Sequence, residues 1–223
     1  AYDAATENIA IGVNAMSGAH VNNASSYNIA IGGSALKGAM DGGLQNICIG
    51  WQAGENITSG DSNILLGYQA GDGLAGQHGN IIMGNEGLDN NSTQVNYTVG
   101  LGHRVLRGDL TTGADGTIAI GYQALNDLTS GAGNIAIGSG TMQEHTTGTQ
   151  NTVMGYNAMY QSGGTTASTS GKNTYIGYLS GSGDWADASS QENTALGANT
   201  MTGILNGANY NTAIGSQALQ GLL

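Results

Sequence analysis

The residues best suited to chemistry are few and scattered. The four histidines are His20, His78, His103 and His145, and the single thiol is Cys48. None has a second His or Cys at metal-ligand spacing, and all the histidines but His103 fall in variable loops, so structural or solvated roles are expected. A lone cysteine excludes an intramolecular disulfide and says little about compartment. His103, Arg104 and Arg107 form one basic cluster, with Glu86, Asp89 and Asp109 nearby in sequence. A carbohydrate-processing site would need carboxylates paired across neighbouring segments, and an inserted loop is the simpler reading of this irregular stretch. Asp61, Asp72, Asp184 and Asp187 sit in Gly-rich loops that would offer calcium hard oxygen ligands. They match neither an EF-hand nor the Gly-rich nonapeptide repeat, so solvated carboxylates are expected and no cofactor is implied. No phosphate-cradling G-x-x-x-x-G-K-[ST] run is present. The aromatic residues are the better binding clue. Trp51, Tyr68, Tyr122, Tyr156 and Tyr178 each directly follow a glycine, and Trp185 lies in a loop. Flat exposed rings would stack on sugars, or on one another as a stabilising column.

What positions these residues must be sought in an unusual composition. Of 223 residues, 40 are Gly, none is Pro or Phe, and only 9% are charged, against about 25% in an average globular domain. Apolar residues still make up 39% and recur at fixed places, which a disordered tract would not require. Lys and Arg total four against fifteen Asp and Glu, a net charge of −11. Nucleic acids and anionic membranes are held by basic residues, so neither is an expected partner. No run of 18 apolar residues exists to cross a bilayer. The chain opens on Ala1 without a signal-peptide pattern and reads as a segment of something larger.

The dominant feature is a repeat. Written from its Asn, the unit is Asn-Ile-Ala-Ile-Gly-Tyr-Gln-Ala-Leu followed by a polar loop. Twelve copies start at Asn8, Asn28, Asn46, Asn63, Asn80, Asn96, Thr117, Asn134, Asn151, Asn173, Asn193 and Asn211. They make one repeat domain over residues 1–223. The central glycines are Gly12, Gly32, Gly50, Gly67, Gly84, Gly100, Gly121, Gly138, Gly155, Gly177, Gly197 and Gly215, spaced 16 to 22 residues apart. Helical repeats need about 33 residues, so a strand, a Gly turn, a second strand and a return loop fit better. The unit therefore reads as one rung of an all-β parallel solenoid, roughly 57 Å long at about 4.8 Å per rung.

Each position in the unit carries an expectation. The fourth is always large and aliphatic, from Ile11 to Ile214, and is expected to fill the core. The fifth is always Gly, for positive φ or a turn too crowded for a Cβ. The first is Asn in eleven of twelve copies, suited to stacked amide ladders. The eighth is usually Ala, as a narrow interior requires. The second is Ile in the early rungs and Thr at 152, 174, 194 and 212. With the Met or Leu of the ninth position, it is left over for a contact between chains.

The aliphatic–Gly pairs Ile11-Gly12, Ile120-Gly121 and Ile214-Gly215, with a small residue before and Ala after, resemble the head repeats of trimeric autotransporter adhesins of the YadA type. They also resemble repeat segments of phage tail fibres. The likeness spans all twelve copies and implies a left-handed parallel β-roll and a homotrimer. The Tyr68-Gln69-Ala70 and Tyr122 to Leu125 runs are closer to the fibre version, while the rungs are longer and less regular than those of adhesin heads.

These readings point to a non-enzymatic structural and receptor-binding segment of an extracellular fibre, most of all a phage tail fibre on a virion surface. It would bind a host cell-surface glycan or protein. The head of a bacterial surface adhesin is the alternative. An ice-binding solenoid is disfavoured because the Thr column covers only four rungs and lacks a paired Thr column. A solenoid polysaccharide lyase or hydrolase is disfavoured by the poor acid and base content.

Overall fold

A computed structural model describes residues 6–18, 23–90, 95–110, 113–160, 169–183, 189–203 and 207–221. Twelve three-residue strands run β1 (Ile9–Ile11), β2 (Ile29–Ile31), β3 (Ile47–Ile49), β4 (Ile64–Leu66), β5 (Ile81–Met83) and β6 (Val99–Leu101). They continue as β7 (Ile118–Ile120), β8 (Ile135–Ile137), β9 (Thr152–Met154), β10 (Thr174–Ile176), β11 (Thr194–Leu196) and β12 (Thr212–Ile214). All pair in parallel, each with its neighbour in sequence, in one sheet ordered β1 to β12. The chain is an all-β parallel solenoid of twelve rungs. Among the described residues no helix is long and apolar enough to cross a membrane.

The unit holds one strand, not the expected two. After each turn glycine the chain runs through turns instead of a second strand. Besides the turn glycine, each rung has positions at positive φ that glycine fills in some rungs and other residues fill in most; in rungs seven and eight the non-glycine ones include Gln123 (54°), Leu125 (51°) and Gln150 (58°). Such left-handed residues cost roughly 1–2 kcal/mol each. They persist because the corners they make are bonded rung to rung: Gln123 N donates to His103 O at 3.0 Å and Leu125 N to Thr141 O at 3.0 Å.

The core lies on the face opposite to the one expected. Strand side chains alternate, so second and fourth positions share one face and the third points to the other. The third position is fully buried: Ala30, Cys48, Leu65, Ile82, Ala119, Ala136, Val153, Tyr175 and Ala195. The fourth faces outward, with Ile11, Ile49, Met83, Leu196 and Ile214 among the exposed large hydrophobic residues. The ninth position, expected on the outside, is buried at Leu36, Leu88, Leu106, Leu125, Met142, Met159 and Met201. The interior is filled from the turn side by these long side chains, so the strand side must contribute small ones. In the rungs of Leu65, Tyr175 and Ile82 a turn-side position gives way. At the ninth, a Cβ on Gly71 would lie 2.6 Å from Leu65 Cδ2 and one on Gly181 2.7 Å from Tyr175 Cδ1; at the eighth, one on Gly87 would lie 2.8 Å from Ile82 Cγ2. Close packing at fixed volume enforces this exchange.

The sixth rung corrects the reading of Gly100. Val99 pairs with Ile81 and Ile118, and Leu101 with Met83 and Ile120, so the unit starts at Thr98 and its turn glycine is Gly102, at φ 141°. Gly100 occupies the buried third position, where a Cβ would lie 2.9 Å from both Ile82 Cδ1 and Val105 Cγ2. Its missing side chain makes room for Val105, which stands where other rungs carry Ala. Among the described residues the strand and turn of this rung are regular.

The first-position ladder forms as expected. Asn63 Nδ2 donates to Asn46 Oδ1 at 2.9 Å and to Gln77 O at 2.9 Å, while Asn63 Oδ1 accepts from Asn80 N at 3.0 Å and Asn80 Nδ2 at 3.1 Å. Because the sixth rung begins at Thr98, the first position is Asn in ten rungs. The ladder is interrupted at Thr98 and Thr117, and Thr117 Oγ1 is buried without a hydrogen-bond partner.

Candidate functional site

The residues singled out for chemistry are dispersed over the rod, and most are absorbed by it. Cys48 is a core residue whose thiol burial pushes up to about 12, so it stays protonated and inert. His78 Nδ1 accepts from Asp61 N at 3.0 Å. His145 is fully buried, seven residues past its turn glycine, where other rungs carry the buried Ile57, Leu74 and Leu128. His20 lies outside the described residues.

Burial lowers the His145 pKa to about 4, against the opposing pull of a hydrogen bond with the Gly148 backbone. The sign follows from the unfolded value of 6.5. The fold holds the neutral imidazole, so its stability is intact above 6.5 and is lost as pH falls toward 4, by about 3 kcal/mol. Asp72 titrates in the same window with the opposite sign. Burial first, then the charges of Glu55 and Asp89, push its carboxyl up to about 6. The test is therefore a difference: urea unfolding of His145→Leu against the parent between pH 7 and 4. The variant is expected to lack that acid-linked loss; parallel pH curves for the two proteins would refute it.

The basic cluster resolves into ion pairs between rungs. Arg104 Nε donates to Glu86 Oε2 at 2.8 Å, and this bond holds the Glu86 carboxyl below its ordinary range. Arg107 Nε lies 3.2 Å from Asp89 Oδ1. Lys37 pairs with Glu55 at 2.9 Å and Lys172 with Glu192 at 3.6 Å, so all four basic side chains face a carboxylate of a neighbouring rung. Asp109 does not join Glu86 and Asp89. It lines an open recess of about 450 Å³ with Asn90, Arg107, Gly108, Asn126 and Asp127.

The calcium candidates are not gathered either. Asp61 Oδ1 accepts from Leu44 N at 2.7 Å and Asp72 Oδ1 from Asn56 Nδ2 at 3.0 Å, while Asp184 and Asp187 lie outside the described residues. Among the described residues, no three His, Cys, Asp or Glu side chains are grouped to hold a metal.

The aromatic column is brought together. Trp51 and Tyr68 stack with centroids 5.1 Å apart and planes at 14°. Tyr156 and Tyr178 stack at 5.8 Å and 9°. With the sixth rung in its proper register, His103 takes its place in the same column and stacks on Tyr122 at 5.7 Å and 5°. Sequence reasoning missed His103 because the sixth rung was set two residues early. The signal was present in Leu101-Gly102, an aliphatic–Gly pair like the others. All five aromatic residues remain half exposed, Tyr122 at 51% and Tyr156 at 54%. Mutual stacking and surface display therefore coexist. Trp185 lies outside the described residues.

Beside this column runs the outward strand face, with two side chains per rung. Its second-position residues are Ile in β1 to β5, β7 and β8, Val99 in β6, and Thr from β9 onward, in continuous register. Thr152, Thr174, Thr194 and Thr212 are flanked by Met154, Ile176, Leu196 and Ile214, so the face stays half apolar to its end.

The fold places the chain among single-sheet parallel β-solenoids. Comparison with protein-family models, with curated proteins and with solved structures finds no match to this chain.

Proposed function

We propose that the chain is a structural and receptor-binding segment of an extracellular fibre, working as a parallel homotrimer of left-handed β-rolls. A phage tail fibre on the virion surface is the form favoured by its Tyr-Gln-Ala-Leu runs, with a bacterial adhesin head as the alternative. It carries out no catalysis. Its contacts are with its own copies and with a glycan or protein on the host surface, not with nucleic acid or the membrane interior.

The observation that carries this reading is the outward strand face. Second and fourth positions leave Ile9 49%, Ile11 59%, Met83 42%, Leu196 47% and Ile214 68% exposed. The stripe is two apolar side chains wide through β8 and one from β9 onward, and it runs the whole rod, about 53 Å at eleven steps of about 4.8 Å. Continuous apolar surface of this kind marks an interface, and in-register parallel copies around one axis would cover it rung by rung. A rod this thin also buries little apolar area of its own, so partnering adds stability. Grouping three rods would repeat every surface feature three times, which strengthens weak receptor contacts.

Light scattering tests the assembly. Three copies of 22.4 kDa, about 67 kDa, are expected, and a stable soluble species of 22.4 kDa at micromolar concentration would overturn the reading. Tail and baseplate genes beside its own would support the fibre; an encoded membrane anchor would support the adhesin.

A further inference from the structure

Following the turn glycines of rungs three to ten, the surface column reads Trp51, Tyr68, Asn85, His103, Tyr122, Ser139, Tyr156, Tyr178. Rungs seven, eight and nine are in unbroken register, with Gly140 N bonded to Tyr122 O and Asn157 N to Ser139 O, both at 2.9 Å. Tyr122 and Tyr156 therefore face each other across two rung steps, about 9.6 Å, and only the short Ser139 side chain stands between their bases. The geometry points to a slot that clamps one neutral pyranose ring of a glycan between Tyr122 and Tyr156, a deepening that rests on the receptor-binding reading above.

The width selects the ligand. A planar ring stacked on both walls at about 3.5–4.0 Å per face would span about 7–8 Å and leave the slot loose. A pyranose chair presents C–H groups on both faces. The puckered chair is thicker than a planar ring. Carbon contacts out to the limit of about 4.0–4.5 Å on each side sum to at most about 8–9 Å, nearer the available gap, and the electron-rich ring faces attract those C–H groups. The walls are preorganised, because each is two rings thick: His103 backs Tyr122 and Tyr178 backs Tyr156. Rigid walls reduce the ordering cost of binding.

Charge sets the remaining preference. Ile120, Ile137 and Met154 border the slot on one side and Gln123, Gly140 and Asn157 on the other. The cation nearest the slot, Arg104, is paired with Glu86, and with a net charge of −11 on the chain acidic sugars are disfavoured.

The other gaps in the column do not offer this. Asn85 stands between Tyr68 and His103, with its Oδ1 3.4 Å from Tyr68 N. The gap over Gly33 has Trp51 on one wall and Val13, an aliphatic residue, on the other.

Saturation-transfer NMR on the full chain, with the methyl glycosides of glucose, galactose, mannose and N-acetylglucosamine as probes, tests the slot. Transfer from tyrosine ring protons to the C–H groups of at least one probe is expected, with Kd about 1–10 mM for so small a ligand. Ser139→Tyr would fill the gap and join the two stacks. It is expected to weaken binding at least tenfold while leaving the unfolding midpoint unchanged or raised. No transfer to any probe, or equal binding by Ser139→Tyr, would overturn the slot. A glycan array run in parallel separates this from the broader reading. Array binding that survives Ser139→Tyr keeps the receptor role and removes the slot. A silent array with positive transfer keeps the slot and removes the glycan half of the receptor role.

Discussion

Gly121→Val is expected to lower stability by about 2–6 kcal/mol, and Gly215→Val by less. Two separate costs meet at Gly121. Its φ of 129° lies in a region that L side chains rarely adopt, worth about 1–3 kcal/mol of strain. A Cβ there would also lie 2.4 Å from Gly138 O on the next rung. Relief would require neighbouring rungs to separate, which the 2.7–2.8 Å bonds on either side of the turn oppose: Gly121 N to Leu101 O, and Gly138 N to Ile120 O. Overpacking of this kind adds about 1–3 kcal/mol. Gly215, in the last rung, has φ 113° but nothing within 4 Å of its would-be Cβ, so strain alone remains. Urea unfolding at one fixed protein concentration separates the two, since the proposed assembly would make stability concentration-dependent. Equal losses would show that strain alone explains the invariant glycine and that the stacked turn imposes no steric demand.

The glycine column was legible because its requirement is absolute: neither the conformation nor the contact with the next rung admits a side chain. The Asn ladder was legible for a similar reason, since one amide both donates to and accepts from the rungs beside it. The core was not, because residue size pointed the wrong way. Ile120 is larger than Ala119, and burial is ordinarily inferred from size. In a roll this narrow the interior of the seventh rung is already filled from the turn side by Leu125 and Leu128, both fully buried. The large strand residues are thus displaced outward, and a column that looks like core becomes surface. Rung six failed for a related reason. Its glycine sits inside the core and Val105 replaces the usual Ala, a volume exchange that disguises the repeat unless the partner position is read with it.

The aromatic column was legible as a set, but its pairing was not. Spacing placed Trp51, Tyr68, Tyr122, Tyr156 and Tyr178 after their glycines. Which rings touch depends on how many rungs separate them, and so on the correct placement of Gly102. Once His103 enters the column, three stacked pairs and the gap at Ser139 follow. The ion pairs were illegible, since Arg104 meets Glu86 only through rung stacking 18 residues apart.

The inverted core makes a second expected result, in which neighbouring residues behave oppositely. Ala119→Asp is expected to unfold the middle rungs, while Ile120→Asp is expected to leave them folded and dissolve the proposed trimer. Ala119 is 0% exposed and packs in the apolar interior with Ala136 and Leu125. A carboxylate there would have no counter-charge and no water. The cost would be about 4 kcal/mol or more, among the largest that single substitutions produce. Ile120 lies on the outward face, where Asp would reach solvent in an isolated rod and cost about 0.5–1 kcal/mol. In the proposed trimer the same carboxylate would be repeated three times around one axis, combining desolvation with mutual repulsion of like charges. Circular dichroism and light scattering together read the outcome. Ala119→Asp should lose β-sheet signal, whereas Ile120→Asp should keep it while its mass falls from about 67 to 22.4 kDa. An Ile120→Asp protein that unfolds as fully as Ala119→Asp would return the fourth position to the core. One that stays folded at an unchanged mass would move the interface off the strand face.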